Sequence, residues 1–127
     1  MANVSYSAVV LDDKSRSRLI ERFKSIIPED WEIIAHHMTI NLGEIDPEFE
    51  KYLEMPVRLS VNDIAWDDKV MAVGVNGFNS RNVKPHITLA VNRKVGGKPV
   101  MSNNLTDWKK LKRPLLVTGI VTEVKYR

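Results

Sequence analysis

The sequence predicts an α+β fold that is bilobal, with mostly antiparallel sheets related by pseudo-twofold symmetry, a few helices packed outside and a central cleft. Three observations lead to this prediction. Short β-branched runs recur along the chain, and one segment carries apolar residues at helical spacing. The order histidine, apolar, threonine, apolar occurs twice, at His37–Ile40 and His86–Leu89. This pattern is the only internal repeat, and it indicates two related lobes.

A strand and a helix open the chain. Tyr6–Leu11 is a short apolar run that predicts a strand, and Asp12 or Asp13 can cap the helix that follows. Pro28 ends the helix, and Trp31–Leu42 is predicted as the second strand, which carries the first motif. The helix has its apolar residues at helical spacing: Leu19, Ile20, Phe23, Ile26 and Ile27.

The second half alternates strands with short helices. Asp46 followed by Pro47 predicts the start of a short helix. Two strands are predicted at residues 58–66 and 70–75, and the second motif strand runs from His86 to about residue 92. A short helix capped by Ser102, Asn103 or Asn104 is predicted next, and it holds Leu105, Trp108 and Leu111. A last strand is predicted at residues 115–126.

Length and composition predict one domain, residues 1–127, because a chain of 127 residues can bury a core without disulfides or structural metals. Cysteine is absent, which excludes disulfides, thiolate metal sites and cysteine nucleophiles and fits a reducing compartment. No segment approaches the length of a membrane span, and no basic region followed by a long apolar run opens the chain. We therefore expect a cytoplasmic protein.

Charge is distributed unevenly along the chain. Residues 1–60 carry 7 basic and 11 acidic side chains, a balance of −4, whereas residues 61–127 carry 12 basic and 5 acidic ones, a balance of +7. The second motif lies in the basic half, where an anionic substrate would be attracted. A solvated, lysine-rich surface is the alternative interpretation of the same charges.

The two motifs predict a phosphate site. In a strand, alternation puts His37 and Thr39 on one face and their apolar neighbours on the other, and it pairs His86 with Thr88 in the same way. Two such strands brought together would surround one small space with two imidazoles and two hydroxyls. One imidazole can take a proton from the attacking group while the other gives one to the leaving oxygen, and the hydroxyls can bind the non-bridging oxygens. This chemistry requires no metal.

The segments His37-Met38-Thr39-Ile40 and Pro85-His86-Ile87-Thr88-Leu89 resemble the two motifs of the 2H phosphoesterases. That family includes RNA 2′,3′-cyclic phosphodiesterases, 2′–5′ RNA ligase-like proteins, cyclic phosphodiesterase domains of tRNA ligases and phage enzymes that destroy cyclic-oligonucleotide signals. The resemblance implies a compact member with a bilobal α+β fold. It also implies that one of His37 and His86 is the general base and the other the general acid, and that Thr39 and Thr88 bind phosphate.

Further residues are candidates for binding the rest of the substrate. Arg81 and Lys84 precede the second motif, and the segment that contains Lys98, Ser102 and Asn103 resembles the one after the second motif in tRNA-ligase-type relatives. A helix cap is the alternative role of Ser102 or Asn103. Alternation points His36 away from the cleft, so it is interpreted as structural. Three aromatic residues could stack on a base or belong to the core: Trp66, Trp108 and Tyr126.

The first functional hypothesis is a metal-independent phosphoesterase that cleaves a 2′,3′-cyclic phosphate or a related nucleotide phosphodiester in RNA end processing or repair. The alternatives are an enzyme that degrades cyclic oligonucleotide signals, of the phage anti-defence type, and a non-catalytic nucleotide- or RNA-binding module that uses the same cleft. The expected partner is RNA or a nucleotide, without a membrane, a metal or a cofactor, and the chain is expected to be a monomer.

Overall fold

The computed structural model describes residues 3–125, which form seven strands, one α-helix and three 3-10 helices. The strands are β1 (Val4–Leu11), β2 (Glu32–Ile33), β3 (His37–Leu42), β4 (Pro56–Trp66), β5 (Val70–Asn76), β6 (His86–Val91) and β7 (Lys109–Lys125). The α-helix is α1 (Asp13–Phe23), and the 3-10 helices cover Pro47–Tyr52, Arg93–Val95 and Pro99–Asn104.

The strands form a closed antiparallel barrel, so the expectation of a bilobal α+β fold with a central cleft is wrong. The sheet order is β2-β6-β3-β1-β7-β4-β5, and β5 also pairs with β6, which closes six of the seven strands into a ring. Closure removes the exposed strand edges that two open sheets would leave. The repeated motif therefore marks two neighbouring strands of one sheet, not two lobes.

Side chains of the motif strands alternate between the barrel interior and its outer face. Met38 and Ile40 on β3, and Ile87 and Leu89 on β6, have no exposed surface and belong to the main core. This confirms the apolar half of the alternation read from the sequence. The histidine and threonine at the positions between them must therefore lie on the opposite, outer face.

A segment after β6 covers part of that outer face. Residues 99–108 contribute Met101, Leu105 and Trp108 to a second apolar cluster with residues of β4, β5 and β6. Because one side of β6 faces the barrel interior and the other faces this segment, all six residues of β6 are buried. The covering segment brings Ser102 and Asn103 beside the second motif.

The helical predictions have mixed outcomes. The side chain of Asp12 caps α1 by accepting a hydrogen bond of 2.7 Å from the backbone N–H of Ser15, which confirms the predicted helix start. A 3-10 helix begins at Pro47, but Asp46 makes no side-chain cap. The short helix predicted after Ser102 is wrong, since the segment 99–104 is a 3-10 helix and β7 already begins at Lys109, where pairing with β4 overrides the helical spacing.

The predicted second strand is divided at Ala35. Its two parts, β2 and β3, pair with successive parts of β6, and Ala35 between them has a φ of +42°.

Tyr126 lies outside the described residues. No helix between residues 3 and 125 is long and apolar enough to cross a membrane.

Candidate active site

The two motifs lie side by side on neighbouring strands. Met38 of β3 pairs with Ile87 of β6 in antiparallel register, so His37 lies across from Thr88, and Thr39 lies across from His86. All four side chains line one cavity of about 520 Å³ on the outer face of the barrel. Nearly fifty residues of chain separate the motifs, and strand pairing brings them together.

His86 has its ring orientation fixed by the backbone. Its Nδ1 lies 2.7 Å from the carbonyl oxygen of Lys84, and because a carbonyl only accepts, Nδ1 carries the proton of this hydrogen bond. Nε2 is then the nitrogen left for a ligand. Burial lowers the pKa of His86 below its ordinary value, and the hydrogen bond to the Lys84 carbonyl partly opposes that effect.

His37 is half-buried and packed between aromatic rings. The ring of Tyr6, from β1, stacks on it with a centroid distance of 4.6 Å and an interplanar angle of 26°. Burial, followed by the charges of His36 and His86, lowers the pKa of His37 to about 4. Burial also raises the pKa of Tyr6. Tyr6 lines the cavity and was not among the sequence-based site residues, because its position depends on the pairing of β1 with β3.

His36 lies outside the cavity lining but touches His37. Its Nδ1 is 2.9 Å from Nδ1 of His37, and the two rings meet edge to face at 5.1 Å. Strand alternation does not describe His36, because it precedes β3 and follows Ala35, whose positive φ is unfavourable for a residue with a Cβ. Backbone bonds hold this segment: Ala35 N–H donates to Thr88 and Leu11 N–H donates to the His36 carbonyl.

The hydroxyl of Thr88 has a defined partner. Its Oγ1 lies 2.8 Å from the Oγ of Ser102, which is almost fully buried, and 3.3 Å from the Pro99 carbonyl oxygen. Ser102 therefore lies behind Thr88 and orients it. Asn103 lines the cavity directly.

The predicted basic residues differ in their relation to the site. Arg81 lines the cavity, but its guanidinium pairs with Asp46 and Glu48, which raise its pKa. Lys84 does not line this cavity; its Nζ lies 2.5 Å from Asp63 and 5.1 Å from the ring centre of Trp108. Lys98 is exposed and lines neither this cavity nor the one on the far side of His86.

A second cavity of about 640 Å³ adjoins the first. His86 lines both cavities, and Trp108, whose ring centroid lies 6.5 Å from that of the imidazole, lines the second. Lys84 and Ser102 also lie in this second cavity, beside Asn103 and Arg81, which are shared by the two. The two cavities therefore adjoin each other at His86 and at the residues they share with it.

The packing around Gly74, next to His86, leaves no room for a side chain. It pairs with His86 across β5 and β6. A Cβ at this position would collide with Oδ1 of Asp63, a buried oxygen that has no hydrogen-bond partner among the described residues, and would lie 2.7 Å from Cε of Lys84. Glycine leaves room for the Asp63–Lys84 pair, and the carbonyl of Lys84 holds His86.

Gly74→Ala is therefore expected to destabilise the fold by about 1–3 kcal/mol, the usual cost of overpacking, and to lower the turnover of the proposed reaction. Urea unfolding measures the first effect and steady-state kinetics the second. Gly96→Ala is the control for turnover, because an added Cβ there meets nothing within 4 Å, while a side chain at its φ of +78° costs about 1–2 kcal/mol. This variant should therefore lose stability and keep wild-type turnover. Unchanged stability in Gly74→Ala would contradict this description of the packing.

Comparison with known families identifies the family of the chain. The family model of the fungal tRNA ligase phosphodiesterase domain matches residues 6–124. The chain belongs to this family, which is of the 2H phosphoesterase-like type. No curated protein matches the chain. Within residues 3–125, no group of three or more His, Asp or Glu side chains is placed to hold a metal ion. Family membership supports a 2′,3′-cyclic phosphodiesterase role in RNA processing.

Proposed function

We propose that the chain is a metal-independent phosphodiesterase that hydrolyses a 2′,3′-cyclic phosphate at an RNA end, with His37 and His86 as its acid–base pair. The observation that carries this proposal is the single cavity lined by both imidazoles and both threonines. Binding alone does not require two titratable groups beside two hydroxyls, whereas phosphodiester cleavage requires one proton to be removed and another supplied.

In the proposed reaction, His86 is the general base. Its Nδ1–H is engaged by the Lys84 carbonyl, so the lone pair on Nε2 can take a proton from the attacking water. His37 is the general acid and protonates the ribose oxygen as the bond between that oxygen and phosphorus breaks. The carbonyl of Lys84 also stabilises the imidazolium that forms on His86.

Thr39 and Thr88 are proposed to donate to the non-bridging oxygens of the phosphate. When Ser102 donates its hydroxyl proton to Thr88 Oγ1 across their 2.8 Å contact, the proton of Thr88 can turn from the Pro99 carbonyl oxygen, to which it donates at 3.3 Å, to the phosphate. Donors placed where negative charge accumulates stabilise the transition state more than the ground state.

The remaining substrate is proposed to contact Asn103 and Arg81 at the cavity rim, with Lys84 and Lys98 supplying positive potential from further away. The carboxylates beside Arg81 and Lys84 offset much of their charge, which makes these two residues weaker anion ligands than the sequence suggests. We further propose that residues 1–127 act as a single domain and a monomer, because one chain supplies both motifs. A cytoplasmic location is proposed because the absence of cysteine fits a reducing compartment.

The pH dependence follows from the two histidines. The reaction needs one of them neutral and the other protonated, so kcat/KM is largest between their pKa values and falls on both sides. Both values lie below the ordinary 6.5, that of His37 at about 4. Below both values no base is available, and above both no acid is. We therefore expect an optimum below pH 6.5 in a profile measured with a 2′,3′-cyclic nucleotide, and an optimum above pH 7 would contradict the assignment.

A substrate panel tests the function. The chain is incubated with RNA ending in a 2′,3′-cyclic phosphate, with 2′,3′-cyclic mononucleotides and with cyclic dinucleotides, and products are separated by chromatography. We expect hydrolysis of the first two groups, unchanged by EDTA because histidines supply both proton transfers. Hydrolysis of cyclic dinucleotides alone would indicate an enzyme that degrades signalling molecules. Binding without product would indicate a binding module.

A further inference from the structure

The exposed residue His36 forms a two-imidazole unit with His37. Their Nδ1 atoms are 2.9 Å apart, a distance at which one proton lies between the two nitrogens. His37 lines the cavity, whereas His36 is exposed to solvent. The unit therefore connects the cavity to bulk water through two ring nitrogens in direct contact.

We propose that His36 is a proton-relay residue that supplies His37 with the proton that His37 gives to the leaving oxygen. This inference rests on the proposed function, in which His37 is the general acid. It assigns a role to a residue that the His-x-Thr pattern does not include.

The relay balances as follows. The bond between phosphorus and the ribose oxygen breaks, its electron pair stays on that oxygen, and the oxygen takes the proton from Nε2 of His37. At the same time the proton on Nδ1 of His36 moves to Nδ1 of His37. His36 becomes neutral, and the pair is reset when Nε2 of His37 takes up a proton from water that refills the cavity and Nδ1 of His37 returns its proton to Nδ1 of His36. His86 releases to solvent the proton that it took from water.

The environment of His37 explains why a partner is useful. Its burial, and the neighbouring charges of His36 and His86, disfavour a proton held by His37 alone. Because two positive charges in contact repel each other, the histidine pair titrates as a unit that carries at most one positive charge. Burial lowers the pKa of both rings, but only that of His37 falls as far as about 4, so a proton carried mainly by His36 suffers less desolvation than one carried by His37.

The backbone holds His36 in the geometry that the relay needs. Ala35 keeps its positive φ of 42° although it has a Cβ, and its N–H donates to the Thr88 carbonyl at 2.9 Å. The carbonyl of His36 accepts from Leu11 N–H at 3.0 Å. The segment is thus tied to β6 on one side and to β1 on the other, and this fixes the position of the His36 ring relative to His37.

The groups that face the pair provide a second way to test it. Tyr6 on β1 stacks on His37, and His86 on β6 lies across the cavity. Arg16 on α1 acts on His36: its positive charge, after burial, lowers the pKa of His36. Removing that charge should let the pair keep its proton to higher pH. Removing His36 takes away a repulsive charge, but it leaves the larger effect of burial on His37 and removes the exposed ring that carries the proton, so the proton should be lost at lower pH.

The experiment is the pH profile of kcat/KM for hydrolysis of a 2′,3′-cyclic nucleotide by wild type, His36→Asn, Arg16→Gln and the double variant. Asparagine keeps an N–H that can donate to His37 but cannot release a proton. We expect the alkaline side of the His36→Asn profile to move to lower pH, with about tenfold or more extra loss at pH 7 relative to pH 5. Arg16→Gln should move it to higher pH, but only while His36 is present.

Two results would overturn the relay. One is a His36→Asn profile that superimposes on that of wild type. The other is a loss by the same factor at every pH, which would indicate that His36 only supports the fold. Failure of the proposed function is a separate result: a wild-type protein that hydrolyses no 2′,3′-cyclic nucleotide removes the function, and a fully active His37→Ala variant removes its two-histidine mechanism, whereas a wild-type profile for His36→Asn removes only the relay.

Discussion

His86→Ala and His37→Ala are each expected to lower kcat for cyclic phosphate hydrolysis by a factor on the order of 10²–10⁴, the usual contribution of a positioned acid or base. His86→Ala removes the group that takes the proton from water, and His37→Ala removes the group that protonates the leaving oxygen. Single-turnover rates at saturating substrate measure the chemical step without contributions from product release.

Folding is checked in the same variants, because His86 is buried and its hydrogen bond to the Lys84 carbonyl contributes about 1 kcal/mol. Lys94→Ala is the control, since Lys94 is an exposed basic residue paired with Asp30 and lines neither the catalytic cavity nor its neighbour. It should keep wild-type turnover. Full activity in either folded histidine variant would contradict the mechanism.

Thr88→Val and Thr39→Val are expected to lower kcat by a factor on the order of 10²–10³ each, the range found when one donor to a developing oxyanion is removed. Valine keeps the shape and branching of threonine and removes only the hydroxyl. The expected loss therefore appears mainly in kcat, because the donors act most strongly on the charge of the transition state. Steady-state kinetics on a 2′,3′-cyclic nucleotide separates kcat from KM.

Ser102→Ala distinguishes the role of the Thr88 hydroxyl from a general disturbance of the site. This change removes the partner of Thr88 at 2.8 Å but leaves the phosphate donor in place, so its effect on kcat should be smaller than that of Thr88→Val. A Ser102→Ala variant with a larger loss than Thr88→Val, at equal stability, would show that Thr88 is not the donor.

The sequence was sufficient to predict which side chains of the motif strands belong to the core and which lie on the face of the candidate site. Period-two alternation separates His37 and Thr39 from Met38 and Ile40, and burial of Met38 and Ile40 confirms the apolar half of that prediction. The resemblance in two tetrapeptides also identified the family that matches residues 6–124. Both inferences depend on residues that are only a few positions apart, so they can be made from the sequence alone.

The architecture depends on contacts between distant segments and could not be read from local pattern. Closure of the barrel requires β6 to pair with both β3 and β5. The spacing of apolar residues does not indicate that β6 has two neighbouring strands. The start of β7 at Lys109 likewise comes from pairing with β4. Strand pairing brings Tyr6 to the cavity, and His36, which follows the positive φ of Ala35, contacts His37 from outside the cavity. Alternation predicts neither contact.

The most direct test uses the imidazole resonances of the protein in NMR, because the chain has only three histidines and each can be assigned by substitution. A 2′-nucleotide, the product expected when the 3′ oxygen leaves, is titrated into the wild-type protein. If one phosphate contacts both rings, the resonances of His37 and His86 shift with the same dissociation constant, and both pKa values rise because the anion favours the imidazolium. A response from only one of these two rings would contradict the account.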